Sequence, residues 1–135
     1  MTQRASGKFE VKISPVASEG ESSGDTISRL LLDKRFHGDL DATSAGQMLG
    51  AMTAVEGSAG YVAMERVSGK LNGHSGSFTL QHMGTMMRGE PALTVAIVPD
   101  SGGGDLEGIA GTMAIEITDG SHFYTLEYTL PSQQP

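Results

Sequence analysis

Glu65, His82 and His122, together with the phenols of Tyr61, Tyr124 and Tyr128, are the side chains of this chain that could do chemistry if they shared one space. A carboxylate, two imidazoles and phenolic hydroxyls are the usual parts of an acid–base site. A glutamate taken out of water has its pKa raised by desolvation, so it can exchange protons near neutrality. On this reading Glu65 and His82 are the candidate acid and base, and all six residues are candidate ligand contacts.

Other chemistry has less support. The four histidines, His37, His74, His82 and His122, show no close ligand spacing, so no metal site is expected. The run Ser101-Gly102-Gly103-Gly104-Asp105 has the composition of a phosphate loop but lacks the Lys-Ser/Thr that would follow, and reads as a turn. No G-x-S-x-G elbow offers a nucleophile, and there is no cysteine to serve as one or to form a disulfide. A cysteine-free chain suits a reducing cytoplasm. The net charge of −7, with no Lys/Arg cluster, argues against a nucleic-acid partner. No cofactor is implied. The segment MTQRASGKFEVKISP lacks the apolar run of a signal peptide, and nowhere do 18 apolar residues follow one another, so no membrane span is expected.

The elements that must position the six residues are strands. Asp119-Gly120 separates two alternating runs, 109–118 and 121–130, and an Asp-Gly pair there is the signature of a two-residue type I′ hairpin turn. Its register sets Ile117 opposite His122, Ile115 opposite Tyr124, Met113 opposite Leu126, Gly111 opposite Tyr128 and Ile109 opposite Leu130. All of these lie on one face, and a one-residue slip would invert the pattern. Asn72-Gly73 does the same within 60–86. It pairs Val67 with Phe78, Glu65 with Leu80, Ala63 with His82 and Tyr61 with Gly84 on the face taken as inward. Residues 6–16 alternate cleanly, with Phe9, Val11 and Ile13 on one side. Residues 26–32 and 35–45 read as strands with a break near Asp33-Lys34, and 91–99 as a proline-bracketed strand. Only 45–57 has the length for a short helix, and its glycines argue against one. Glu19, Glu21 and Asp25 read as a solvated loop, and the tail from Ser132 as frayed.

At 135 residues this is one domain, 1–135. About eight short strands joined by tight turns predict an all-β fold, a closed antiparallel barrel. Its interior should hold Phe9, Val11, Ile13, Phe78, Leu80, Ile109, Met113, Ile115, Leu126 and Leu130. The six polar residues then point inward, with Glu65 a diagonal neighbour of His82. Three functions fit such a barrel. The first is binding of a small apolar molecule in the barrel mouth. The second is an isomerase or cyclase using Glu65 and His82 on an apolar substrate. The third is a structural or interaction module with a filled interior, in which the tyrosines only pack and Glu65 and His82 only satisfy each other. Val62, Met64, Met83 and Phe123 fall on outward faces and predict a homo-oligomer, a dimer or trimer.

The segments GYVAMERVSGKLNGHSGSFTLQHMG (60–84), GGGDLEGIAG (102–111) and GSHFYTLEYTL (120–130) resemble a bacterial family catalogued only as a domain of unknown function, number 3224. The resemblance extends over most of the chain. It implies a barrel similar to that of plant allene oxide cyclases, with a more distant likeness to dirigent proteins and to the lipocalin-like calycin barrels. Allene oxide cyclases are trimeric isomerases of a fatty-acid epoxide, which tilts the expected oligomer toward a trimer. Their catalytic residues do not map onto this chain one by one, so the resemblance implies a fold and not an activity.

Overall fold

Inward-facing side chains at every second position, on strands that pair in chain order, fold this chain into a simple up-and-down barrel. The structure is a computed structural model that describes residues 2–16 and 27–131. The residues read above as a solvated loop, Glu19, Glu21 and Asp25, and the tail from Ser132 lie outside the described residues. The strands are β1 (Gln3–Pro15), β2 (Ile27–Phe36), β3 (Leu40–Met52), β4 (Ala59–Leu71), β5 (His74–Met87), β6 (Glu90–Ile97), β7 (Gly103–Gly104), β8 (Ala110–Thr118) and β9 (Ser121–Thr129). Eight of them form the barrel. Each pairs antiparallel with the next, β6 passes to β8, and β9 returns to β1 to close the ring. Among the described residues the two-residue β7 pairs only with the start of β5.

Both expected hairpin turns are present. Asn72 and Gly73 have φ of 48° and 88°, and Asp119 and Gly120 have φ of 52° and 80°, the left-handed pair that a type I′ turn requires. The registers follow: Glu65 faces Leu80, Ala63 faces His82 and Tyr61 faces Gly84, while Ile115 faces Tyr124 and Gly111 faces Tyr128. The β8–β9 ladder ends at Ala110 opposite Thr129, one position short of the Ile109–Leu130 pair. A third turn of the same kind, Arg88-Gly89 with φ of 47° and 94°, joins β5 to β6.

One expectation is corrected and, as the glycines argue, no helix forms over 45–57. The break near Asp33-Lys34 does not exist. β2 runs through both residues and ends at Phe36, and the turn falls at His37–Asp39. Residues 45–52 continue β3 and are not helical, because Ala42, Ser44 and Met48 keep the two-residue period that buries one face.

The two ends of the barrel differ. At the end carrying the Asn72-Gly73 turn, Leu40, Leu71, Phe78, Leu80 and Leu126 are buried, and Leu106 and Ile109 from the connection after β6 fold in as a plug. Each such side chain contributes about 1.5–3 kcal/mol relative to exposure. Of the expected interior residues, Phe9 and Met113 are also buried, and Val11, Ile115 and Leu130 pack half-buried against this core. Ile13 lies on the inner face yet is 50% exposed. It stands at the opposite end, where the barrel is open.

Candidate functional site

Along β4 the inner face carries Tyr61, Ala63, Glu65 and Val67 in turn, so the strand delivers a phenol and a carboxylate to one side of the barrel. β5 delivers His82 beside them. On β2, Leu30, Leu32, Lys34 and Phe36 share one parity, and on β3 so do Leu40, Ala42 and Ser44. Those two strands bring Lys34 and Ser44 to the same level.

The result is a fully buried polar cluster halfway down the barrel. Glu65 Oε2 accepts hydrogen bonds from Lys34 Nζ at 2.7 Å and from His82 Nε2 at 2.5 Å. Glu65 Oε1 accepts one from the Ser44 hydroxyl at 2.5 Å. Burial pushes the Glu65 carboxyl up, but the His82 hydrogen bond, the Lys34 charge and the Lys34 and Ser44 hydrogen bonds outweigh it and hold the pKa at about 2. An ionised carboxylate only accepts, so Nε2 of His82 carries a proton. The Lys34 ammonium is capped in turn by the rings of Phe9 and Phe36, with centroids 4.9 Å and 5.8 Å from Nζ.

Backbone geometry makes room for this arrangement. Gly46 lies directly across from Glu65, and a Cβ there would sit 2.1 Å from the Met64 carbonyl oxygen and 2.7 Å from the Glu65 Cβ. Gly84 plays the same part for Tyr61, whose Cε1 would lie 2.4 Å from an added Cβ. The inward tyrosines of β9 also face glycines, Tyr124 across from Gly7 and Tyr128 across from Gly111.

Above the cluster the barrel is hollow. A cavity of about 570 Å³ opens at the mouth, walled by apolar side chains such as Val11, Leu30, Met48, Leu93 and Ile115. Lys34, His82 and Tyr61 line its floor and lower wall. His82 uses only Nε2 within the protein, and Tyr61 makes no hydrogen bond, among the described residues. No buried side-chain nitrogen or oxygen there is left unpartnered, so His82 Nδ1 and the Tyr61 hydroxyl are open to the cavity. The Tyr61 and His82 rings stand 6.4 Å apart, centroid to centroid. Burial, and then the Glu65 charge, raise the Tyr61 pKa.

Of the six residues singled out by type, the structure brings three to this cavity. His82 lies in its floor with Tyr61 beside it, and His122 enters from β9 with its ring 5.2 Å from that of Phe9, while Glu65 is buried behind His82 and reaches the cavity only through its hydrogen bond to that ring. Tyr124 and Tyr128 are inward but sit at the closed end. The Tyr124 hydroxyl accepts from Leu40 N–H at 2.9 Å and donates to the His37 carbonyl at 2.8 Å, pinning the β2–β3 turn. The Tyr128 hydroxyl accepts from Asn72 Nδ2 at 2.7 Å and pins the β4–β5 turn. Residue type alone missed Lys34 and Ser44. Their signal was parity, hidden for Lys34 by the break placed beside it.

Among the described residues no group of three or more His, Asp or Glu is placed to hold a metal ion, and no helix is long and apolar enough to cross a membrane. A family model described as "Protein of unknown function (DUF3224)" matches residues 5–128. The crystal structure of a protein with unknown function from that family, from Shewanella oneidensis MR-1, is 48% identical in sequence. It superposes with a TM-score of 0.90, and the match covers 98% of this chain and 99% of that one. No curated protein matches the chain.

Proposed function

The chain belongs to the DUF3224 family of proteins of unknown function, and from that premise, which brings a fold and no activity, we propose that it is a carrier or receptor for one small apolar molecule held in the open half of the barrel. The observation that carries the reading is the cavity of about 570 Å³. Ligand sites fall at about 300–1,000 Å³, with apolar walls and a few polar groups that fix orientation. A purely structural barrel of eight strands fills its interior with side chains, and here the filling stops at the Glu65 level.

The test is a titration with a neutral fluorescent apolar probe, N-phenyl-1-naphthylamine. One site per chain should saturate in the micromolar range. Gly50→Leu supplies the control. Gly50 lines the cavity, and a Cβ there meets nothing closer than the Gly60 oxygen and Tyr61 Cβ, both at 3.9 Å. The variant should therefore fold normally, fill the cavity and weaken probe binding at least tenfold. Absence of saturable binding to the unmodified chain, or unchanged binding to the variant, would sink the reading.

A second reading, an isomerase or cyclase working on an apolar substrate, is supported by His82. Its Nε2 is held by a carboxylate while Nδ1 faces the cavity, the arrangement that orients an imidazole to take a proton from a bound molecule. Turnover of a bound compound, abolished by His82→Ala, separates it from binding alone.

We also propose that the chain self-associates through the outside of β3–β5. Leu49, Val62 and Met83 form one cross-strand row there, 47%, 49% and 60% exposed, with Met64 beside them. Phe123 adds little to this surface, since it is only half-exposed and lies under Lys8. Light scattering at tens of micromolar should give two or three times the chain mass of 14.1 kDa, and Val62→Lys with Met83→Lys should reduce it to one. A monomer before any substitution would contradict the proposal.

A further inference from the structure

The floor of the cavity has a polarity that selects among apolar ligands. Resting on the binding reading above, we propose that the site takes an uncharged molecule with a hydroxyl group, an apolar alcohol or phenol, whose hydroxyl donates to His82 Nδ1 and accepts from the Tyr61 hydroxyl.

Three features of the cluster lead there. The Glu65 carboxylate takes its hydrogen bond from His82 Nε2, so in the neutral ring Nδ1 carries a lone pair and is an acceptor. The positive charge nearest the cavity is Lys34, and it is already engaged. Its Nζ donates to Glu65 and is covered by the rings of Phe9 and Phe36. A ligand carboxylate would therefore set its charge against the Nδ1 lone pair and near Glu65, with the ammonium already committed to that carboxylate. Finally, the Tyr61 hydroxyl has no partner among the described residues and its ring stands beside that of His82. A ligand oxygen that both donates and accepts satisfies the two open groups at once. An ether oxygen accepts only and leaves Nδ1 unmet, and a hydrocarbon leaves both unmet. A buried polar group without a partner weakens binding more than a made hydrogen bond strengthens it, so the discrimination runs mainly against the wrong ligands.

The experiment uses four probes on one skeleton, 4-phenylphenol, 4-methoxybiphenyl, biphenyl-4-carboxylate and biphenyl, each competing with N-phenyl-1-naphthylamine on the full chain at pH 7.5. The phenol should displace the probe at about one-tenth the concentration needed by the ether, the carboxylate or the hydrocarbon, roughly the yield of one well-made buried hydrogen bond. Tyr61→Phe, which removes one of the two groups that the hydrocarbon leaves unmet, should strengthen biphenyl binding and reduce the phenol's advantage to about threefold or less. His82→Phe should abolish it. If His82→Phe fails to fold, Tyr61→Phe decides alone. Equal displacement by all four, preference for the carboxylate, or displacement by none while the naphthylamine still saturates overturns the proposal and leaves the binding reading standing. Failure of the naphthylamine itself to bind overturns both.

Discussion

Lys34→Met is expected to lower the unfolding free energy by about 3–5 kcal/mol, the usual consequence of removing one partner of a buried ion pair. Methionine fills nearly the same volume and keeps the packing against Phe9 and Phe36, so little of the loss comes from a void. The loss comes from Glu65, which has no exposure at its side chain and would keep its charge with only His82 and Ser44 to meet it. Urea unfolding measures this as a lower midpoint at an unchanged slope. Glu65→Gln placed in the same chain should recover more than half of the loss, since the amide oxygen still accepts a hydrogen bond but carries no charge. A single variant within about 1 kcal/mol of the original, against the expected 3–5, or a double variant no better than the single, would show that the pair is not what holds the carboxylate.

Acid should act on the same group. The Glu65 carboxyl lies at about 2 in the folded chain against an ordinary value of 4.5. The unfolded chain therefore takes up the proton first as the pH falls. The contribution of Glu65 is complete above about pH 4.5 and drains away toward pH 2. At about 1.4 kcal/mol for each pH unit, this amounts to about 3 kcal/mol. Other carboxylates will add their own slopes, so the informative quantity is the difference between the original chain and Glu65→Gln. That difference should shrink steadily between pH 5 and 2.5 (roughly the window set by the two values). Parallel curves would place the Glu65 pKa near its ordinary value and remove the electrostatic account of the cluster.

Much of this was legible in the sequence, for a definite reason. Asn72-Gly73 and Asp119-Gly120 need φ > 0 at both positions, and that demand sets which residue faces which along the whole of each hairpin. Glu65 and His82 could be paired before any coordinates because that register is unforgiving. The third turn was missed because Arg88 is not a residue that marks a left-handed position, and only Gly89 hinted at it. Lys34 was missed because a charged dipeptide looks like a loop, although Leu30, Leu32 and Phe36 on either side keep the inward parity. Alternation also says which way a side chain points but not how far along the barrel it lies. Tyr61 and Tyr124 carry the same signal, yet one lines an open cavity and the other ties a turn at the closed end.

The order of the strands has a consequence for how the molecule assembles. Seven of the eight seams join strands that are neighbours in sequence or separated only by the short β7, and three of those close through two-residue turns. Such hairpins form in about 1–10 microseconds. The eighth seam brings Gln3 to Tyr128 and Phe9 to His122, across almost the whole chain, and its loop-closure entropy is the largest in the fold. Until that seam zips, β1 and β9 are both edges with unsatisfied backbone groups, the form in which β-sheets recruit strands from other molecules. The time before closure is when this chain is exposed to aggregation. Tyr124 seated over Gly7 and bonded to the β2–β3 turn is the latch that ends it.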